Sequence, residues 1–335
     1  MLIPARRVTS KRVVISVFMA TALYACVANS ESLAVIHNVQ KVVGQTSDAL
    51  FGRDGTSAII HRSGSGATRP RLFTLDERLE LSSNSALDQH ASTLLSVDGV
   101  SALVSVQASA TQVATASHQW TLAGGLEQLE PAGGAPAYVV ARKYQRGGRR
   151  TVLGYPLAAD SSTPEAKDLV DSRYTAKDLF ASARATYLIT QEGVSMLTWR
   201  GTMPETFTPV VRGAFYEAEA VSLRDFDVAV LIVQKPMMQT ELEIRALPSG
   251  EKLDAASFPY SIVSLQMVAD LHGHVLVVAN SKQSVAQAEF LILNSQGRIA
   301  HRQSAPSRLK LIRSEQPVRL IGVTPTAIVE YEIAR

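Results

Sequence analysis

The sequence predicts an all-β fold built from a repeated unit of short strands, and three observations carry the prediction. From Ser32 onward, apolar runs of four to eight residues alternate with Gly, Asp, Asn, Ser and Pro. Many of these runs are rich in Val, Ile, Leu and Thr, which suits strands. A tight turn followed at once by an apolar run also recurs. Asp98-Gly99-Val100-Ser101-Ala102-Leu103-Val104 and Asp54-Gly55-Thr56-Ser57-Ala58-Ile59-Ile60 are the closest pair. Looser copies start at Glu192-Gly193 and His272-Gly273, and degenerate ones at Gly133-Gly134 and Asp227-Val228. The turn glycines Gly55, Gly99, Gly193 and Gly273 lie 44, 94 and 80 residues apart. These are one, two and two periods of a unit of about 40–47 residues, the period of four-stranded propeller blades. A four-stranded sheet cannot bury both faces alone; packing against neighbours around an axis does so, and closing the ring protects the edges. The 304 residues from Ser32 hold about seven such units. The expected fold is a β-propeller of about seven four-stranded blades forming a single domain over residues 31–335. The alternative is two stacked β-sandwich domains split near residues 159–178, because both architectures use regular short strands.

Taken in order, residues 33–36 and 39–43 open the strand pattern. Residues 71–76, 118–126 and 150–155 each supply a second strand after a turn-plus-strand unit. Thr163 and Pro164 offer an N-cap and a first helical position before residues 165–170, which predicts one or two turns of helix as a connector. Residues 242–253 and 289–299 share a form: an alternating strand, a Ser-containing Gly turn, then a basic and an aliphatic residue. Each reads as a hairpin whose turn sets the register. Residues 319–333 supply only two strands, too few for a unit. The N-terminal strands are therefore expected to pair with the C-terminal ones and close the ring, since unpaired edges are costly and aggregation-prone.

The charge balance depends on the first 30 residues. The chain has 33 basic and 30 acidic residues, with Arg6, Arg7, Lys11 and Arg12 ahead of an apolar run at 13–23 and no acid nearby. This is the pattern of an export signal over residues 1–30, and the run is short for a membrane span of about 20 residues. Without those four residues, 29 basic face 30 acidic ones, a net charge of −1. Such a chain has no global field to draw it to nucleic acid or an anionic membrane. Cys26 is the only cysteine, so no disulfide is available and stability must come from burial. Leu23-Tyr24-Ala25-Cys26 resembles a bacterial lipoprotein signal, which implies lipidation of Cys26; Tyr24 departs from that pattern. An ordinary signal cut after Ala28 or Ser30 would remove Cys26 instead. The expected location is the periplasm or, lipid-anchored, the outer membrane of a Gram-negative bacterium. The membrane enters only through that anchor.

With these turns and strands in place, the chain resembles exported bacterial β-propellers of the quinoprotein-like and WD-repeat-like kind. The resemblance is one of fold across residues 33–335. The Trp-Asp ending of WD repeats and the repeated Trp of quinoprotein propellers are both absent, Trp120 and Trp199 being the only tryptophans. No family residue is carried over.

The chemistry-bearing residues are sparse. There is no Gly-x-Ser-x-Gly turn, no His-Glu-x-x-His, no P-loop and no Cys-x-x-Cys, and no cofactor is expected. Asp270, His272 and His274 form the best metal-like cluster, but Gly273 places a turn between the histidines, and a solvated turn is the simpler reading. Arg142, Lys143, Arg146, Arg149 and Arg150 surround Gly147-Gly148. They would serve as a docking loop or as a charged hairpin tip that keeps strands soluble. Glu217/Glu219, Asp225/Asp227 and Glu241/Glu243 are spaced to share a solvent face of a strand. Trp120, Trp199, Phe215, Tyr216 and Phe290 are expected to pack between sheets. The functional expectation is a non-catalytic scaffold that joins another envelope protein in an envelope or secretion assembly. The alternative is a periplasmic propeller enzyme, a hydrolase or quinone-type dehydrogenase.

Overall fold

A computed structural model describes residues 100–305, apart from 116, 136, 146–147, 171–174, 271 and 282–287, together with the strands on either side of that region. Side chains are described within 102–304 and at Leu95 and Val97. The strands form seven four-stranded antiparallel sheets, and the one helical element described is a single 3-10 turn, Pro236–Met238. No helix among the described residues is long and apolar enough to cross a membrane. Six sheets use consecutive strands and span residues 45–86, 91–123, 128–168, 178–212, 218–258 and 262–305. They are called the first to sixth sheets here. The seventh joins Lys310–Glu315, Val318–Val323 and Ile328–Ala334 to the N-terminal strand Ser32–Val39. Ser32 lies opposite Ala334 and Val39 opposite Ile328.

Neighbouring sheets approach through their first strands. Gln128–Pro131, Asp178–Ala181, Ala218–Ser222 and Ile262–Ala269 contact one another in succession. Lys310–Glu315 touches both Ile262–Ala269 and Gln45–Phe51, and Gln45–Phe51 touches Ala91–Val97. The second to fourth strands step outward from there. Turns from first to second and from third to fourth strands therefore lie on one face of the molecule. Second-to-third hairpins and the loops leading into the next sheet lie on the other.

The packing explains why strands read as solid apolar runs. In Asp227–Gln234 the first six residues are all buried, because sheets cover both faces. Four hydrophobic clusters of described residues each straddle a seam. One joins Leu95, Val104 and Trp120 of the second sheet to Val139 and Tyr155 of the third. Another joins Tyr138 and Val152 of the third to Leu179 and Leu188 of the fourth. A third joins Tyr187 to Leu231 across the fourth and fifth, and a fourth joins Val230 and Phe258 to Leu265 and Val277 across the fifth and sixth. Continuous burial across the 159–178 segment is not the arrangement of two sandwiches split there.

Three local expectations fail. Residues 163–166 form no helix, and Lys167–Asp168 pairs with Leu153 and Gly154 as a two-residue fourth strand. The buried Leu169 side chain and the Lys167 ammonium, which donates to the Pro204 carbonyl, draw this segment onto the sheet, so tertiary contacts override the capping pair. Glu192-Gly193 marks a second-to-third turn, whereas Gly133-Gly134, Asp227 and His272-Gly273 mark first-to-second turns. The fourth sheet's equivalent is Ser182–Ala185. Gly193 has its own reason: its φ is 145°, and a Cβ there would sit 1.9 Å from the Val211 carbonyl oxygen. Tyr216 is exposed, while Trp120, Phe215 and Phe290 are buried as expected and Trp199 packs edge-on against Tyr138.

Candidate functional site

A cleft of about 1070 Å³ opens between the fifth and sixth sheets on the face of the first-to-second turns. Four turns build it: residues 222–226 and 249–251 from the fifth sheet, and Asp270, His272, Gly273 and residues 295–298 from the sixth. Each turn is pinned by a side chain. The Arg184 guanidinium reaches across from the fourth sheet and donates to the carbonyls of Leu223, at 2.7 Å, and Arg224. Arg245 donates to the Gly250 carbonyl at 2.7 Å. Asp270 Oδ1 accepts the amides of His272 and His274 at 2.8 Å each, and Asn294 Oδ1 accepts those of Gln296 and Arg298 at 3.0 Å each. The short side chains of Asp270 and Asn294 take up amides that a tight turn leaves unpaired, and the two arginines take up turn carbonyls.

The cleft's own charges are of both signs. Arg224, Asp225, Glu251, His272 and Arg298 are exposed, and no ion pair joins any of them to another described residue. On the flank of the fifth sheet, by contrast, charges are paired. Lys252 bridges Glu241 and Glu243 at 2.8 and 3.2 Å, Arg245 pairs with Glu243 at 2.7 Å, and Lys235 with Glu241 at 3.1 Å. Hydrogen bonds from Lys252 and Lys235 hold the Glu241 carboxyl below its ordinary range. Beside the cleft, at the seam between the fourth and fifth sheets, lies a buried knot. Asp227, 2% exposed, accepts from Ser182 Oγ at 2.6 Å, Tyr187 Oη at 2.6 Å and Ser222 Oγ at 2.7 Å. Burial, then the Asp227 carboxylate, push the Tyr187 phenol well above its ordinary value. The paired-carboxylate spacing therefore misplaces Asp227, which belongs to the interior while Asp225 alone faces solvent.

The residues singled out from sequence fall on different parts of the molecule. Asp270 and His272 line the cleft, but Asp270 is occupied with its own turn, and His274 Nδ1 lies 3.1 Å from its Oδ2. Among the described residues no group of three His, Cys, Asp or Glu is placed to hold a metal. The arginine-rich hairpin stands on the opposite face. Arg142 and Arg150 turn inward to Glu127, at 3.5 and 2.7 Å, and Arg142 also donates to the Lys177 carbonyl of the approach to the fourth sheet. The Lys143 ammonium lies over Gly124. Arg149 and Tyr144 remain exposed; Arg146 lies outside the described residues, as do Cys26 and the rest of residues 1–30, expected to be an export signal. That same face carries Met237 and Met238, 90% and 74% exposed, at a hairpin tip.

Sequence reasoning missed the cleft because its charges come from turns spread over residues 222–298 and carry no motif. The recurrence of turns bearing Asp, Ser or Asn was the signal that could have shown them stacked on one face.

No protein-family model matches the chain, and no curated protein matches it in sequence. Solved structures match it in shape. One is the crystal structure of the β-propeller domain of Myceliophteria thermophila Cps50 (Swd1), with a TM-score of 0.53 and 10% identity over 90% of this chain and 100% of that chain. At that identity the likeness concerns fold alone, and together with the four-stranded sheets it makes this chain a β-propeller.

Proposed function

We propose that the chain is a non-catalytic scaffold of a bacterial cell envelope, exported under residues 1–30 and joining an envelope or secretion assembly by binding another envelope protein. One observation carries the reading: pinned turns present, in one cleft, charges of both signs that make no ion pair with another described residue. A preformed surface with uncommitted polar groups suits recognition, because little ordering entropy is lost on binding. Two of the cleft's hydroxyls have structural partners among the described residues. Ser222 donates to Asp227, Ser249 donates to the Ala246 carbonyl, and no described serine is hydrogen-bonded to His272.

The test is site-specific photo-crosslinking in cells. A photoreactive residue at Gln296, on the cleft rim, should give one discrete adduct with another exported or membrane protein. The adduct should weaken when Arg298 or Glu251 is reversed in charge. Absence of any adduct from Gln296, and also from Met237 on the opposite face, overturns the scaffold reading.

A further inference from the structure

We infer that the cleft between the fifth and sixth sheets takes an extended peptide segment in which basic and acidic side chains alternate. The inference rests on the scaffold reading and names the chemistry of the partner segment.

The two walls differ in uncommitted charge. The fifth-sheet wall offers Asp225 and Glu251 with Arg224, an excess of acid. The sixth-sheet wall offers Arg298 with His272, while its Asp270 carboxylate is turned onto the amides of its own turn. The two sheets are tied to each other at both ends: near the cleft the Asp254 carboxylate accepts the Ile299 amide at 2.9 Å, and toward the opposite face the Thr240 hydroxyl accepts the Ile262 amide at 3.0 Å. On this fixed frame Arg224, Asp225, Glu251, His272 and Arg298 make no ion pair with another described residue and are available to a third body.

An extended strand fits that third body. Successive side chains of a strand point to opposite sides, so alternating Lys and Glu put all cations on one flank and all anions on the other. The cationic flank meets Asp225 and Glu251; the anionic flank meets Arg298. A ligand of one sign would satisfy one wall and be repelled by the other.

The probe is a fluorescein-labelled peptide of about six residues, spanning ~20 Å when extended, with Lys and Glu alternating. Its control has the same composition in two blocks. Fluorescence anisotropy with the full-length chain should show the alternating peptide binding about fivefold more tightly than the block peptide, and weakening as salt is raised. E251R and R298E should each lower its affinity about fivefold, with circular dichroism unchanged. Equal binding of the two peptides, no binding of either, or full affinity in both variants overturns the inference. If the Gln296 adduct persists in cells while the alternating peptide fails, the ligand chemistry is wrong and the scaffold stands. If adducts are absent from both Gln296 and Met237, the scaffold reading falls and this inference falls with it.

Discussion

The Tyr187 phenol donates to Asp227 Oδ2 at 2.6 Å across the seam between the fourth and fifth sheets. Ser182 makes the same crossing, and Ser222 completes the set from within the fifth sheet. A buried carboxylate is costly unless its oxygens are filled by donors. Tyr187→Phe should therefore lower stability by about 2 kcal/mol, and Asp227→Ala by about 4 kcal/mol, because the latter strands three hydroxyls. Urea unfolding measures both. An Asp227→Ala variant as stable as wild type would show that the knot does not hold the seam.

Asp178 begins the first strand of the fourth sheet and accepts the Ala218 amide of the fifth at 3.1 Å. Burial raises its carboxyl above the ordinary value of 3.8, against the opposing pull of that amide, Gln128 and Arg142. The folded state thus binds this proton more tightly than the unfolded one. The group gives stability as pH falls through its raised folded value, complete below 3.8, and lost again as pH rises. Asp178→Asn should be the more stable at neutral pH, with that advantage shrinking as pH falls toward 3.8. Stability curves of the two proteins with a pH-independent difference would contradict this.

Gly133 sits where the first-to-second turn of the third sheet meets that of the fourth. A Cβ there would lie 2.3 Å from the Ala185 amide nitrogen, and the adjacent Gly134 amide donates to the Ala183 carbonyl at 3.1 Å. Gly133→Ala must push the two turns apart, at about 2 kcal/mol. The urea midpoint should fall with an unchanged slope.

Deleting residues 327–335 removes the strand on which Ser32–Val39 pairs. In a ring whose sheets support one another, the whole molecule should lose stability. Limited proteolysis should leave no resistant fragment. A protected N-terminal piece ending near residues 159–178 would instead signal two independent units.

If Cys26 carries lipid, Cys26→Ser should move the protein from membrane fractions into the soluble periplasm. Identical fractionation of the two would favour an ordinary signal.

The legible parts of this fold were local ones. Turn glycines and apolar runs specify hairpins, and their recurrence at a near-constant period implies stacked sheets. Thr163-Pro164 misled because a capping pair only permits a helix, and Leu169 has a seam to fill instead. Asp227 misled for a related reason. Alternation along a strand separates its two faces, but between two sheets both are interior. The cleft was illegible because Arg224 and Arg298 are brought together by sheet packing alone, and neither sits in a pattern that predicts the other.

The pairing of Ser32 with Ala334 also sets a polarity. The N-terminal strand enters the seventh sheet at the end bearing its first-to-second turn, which is the end on which the charged cleft opens. The six positions from Cys26 to Ser32 reach at most ~20 Å. A lipid at Cys26 would orient the molecule like a buoy on a short mooring, with the cleft turned toward the bilayer and the Arg149 and Met237 hairpins toward open periplasm. A segment captured by the cleft would then have to come from a partner close to the membrane, and the two faces would address different depths of the envelope.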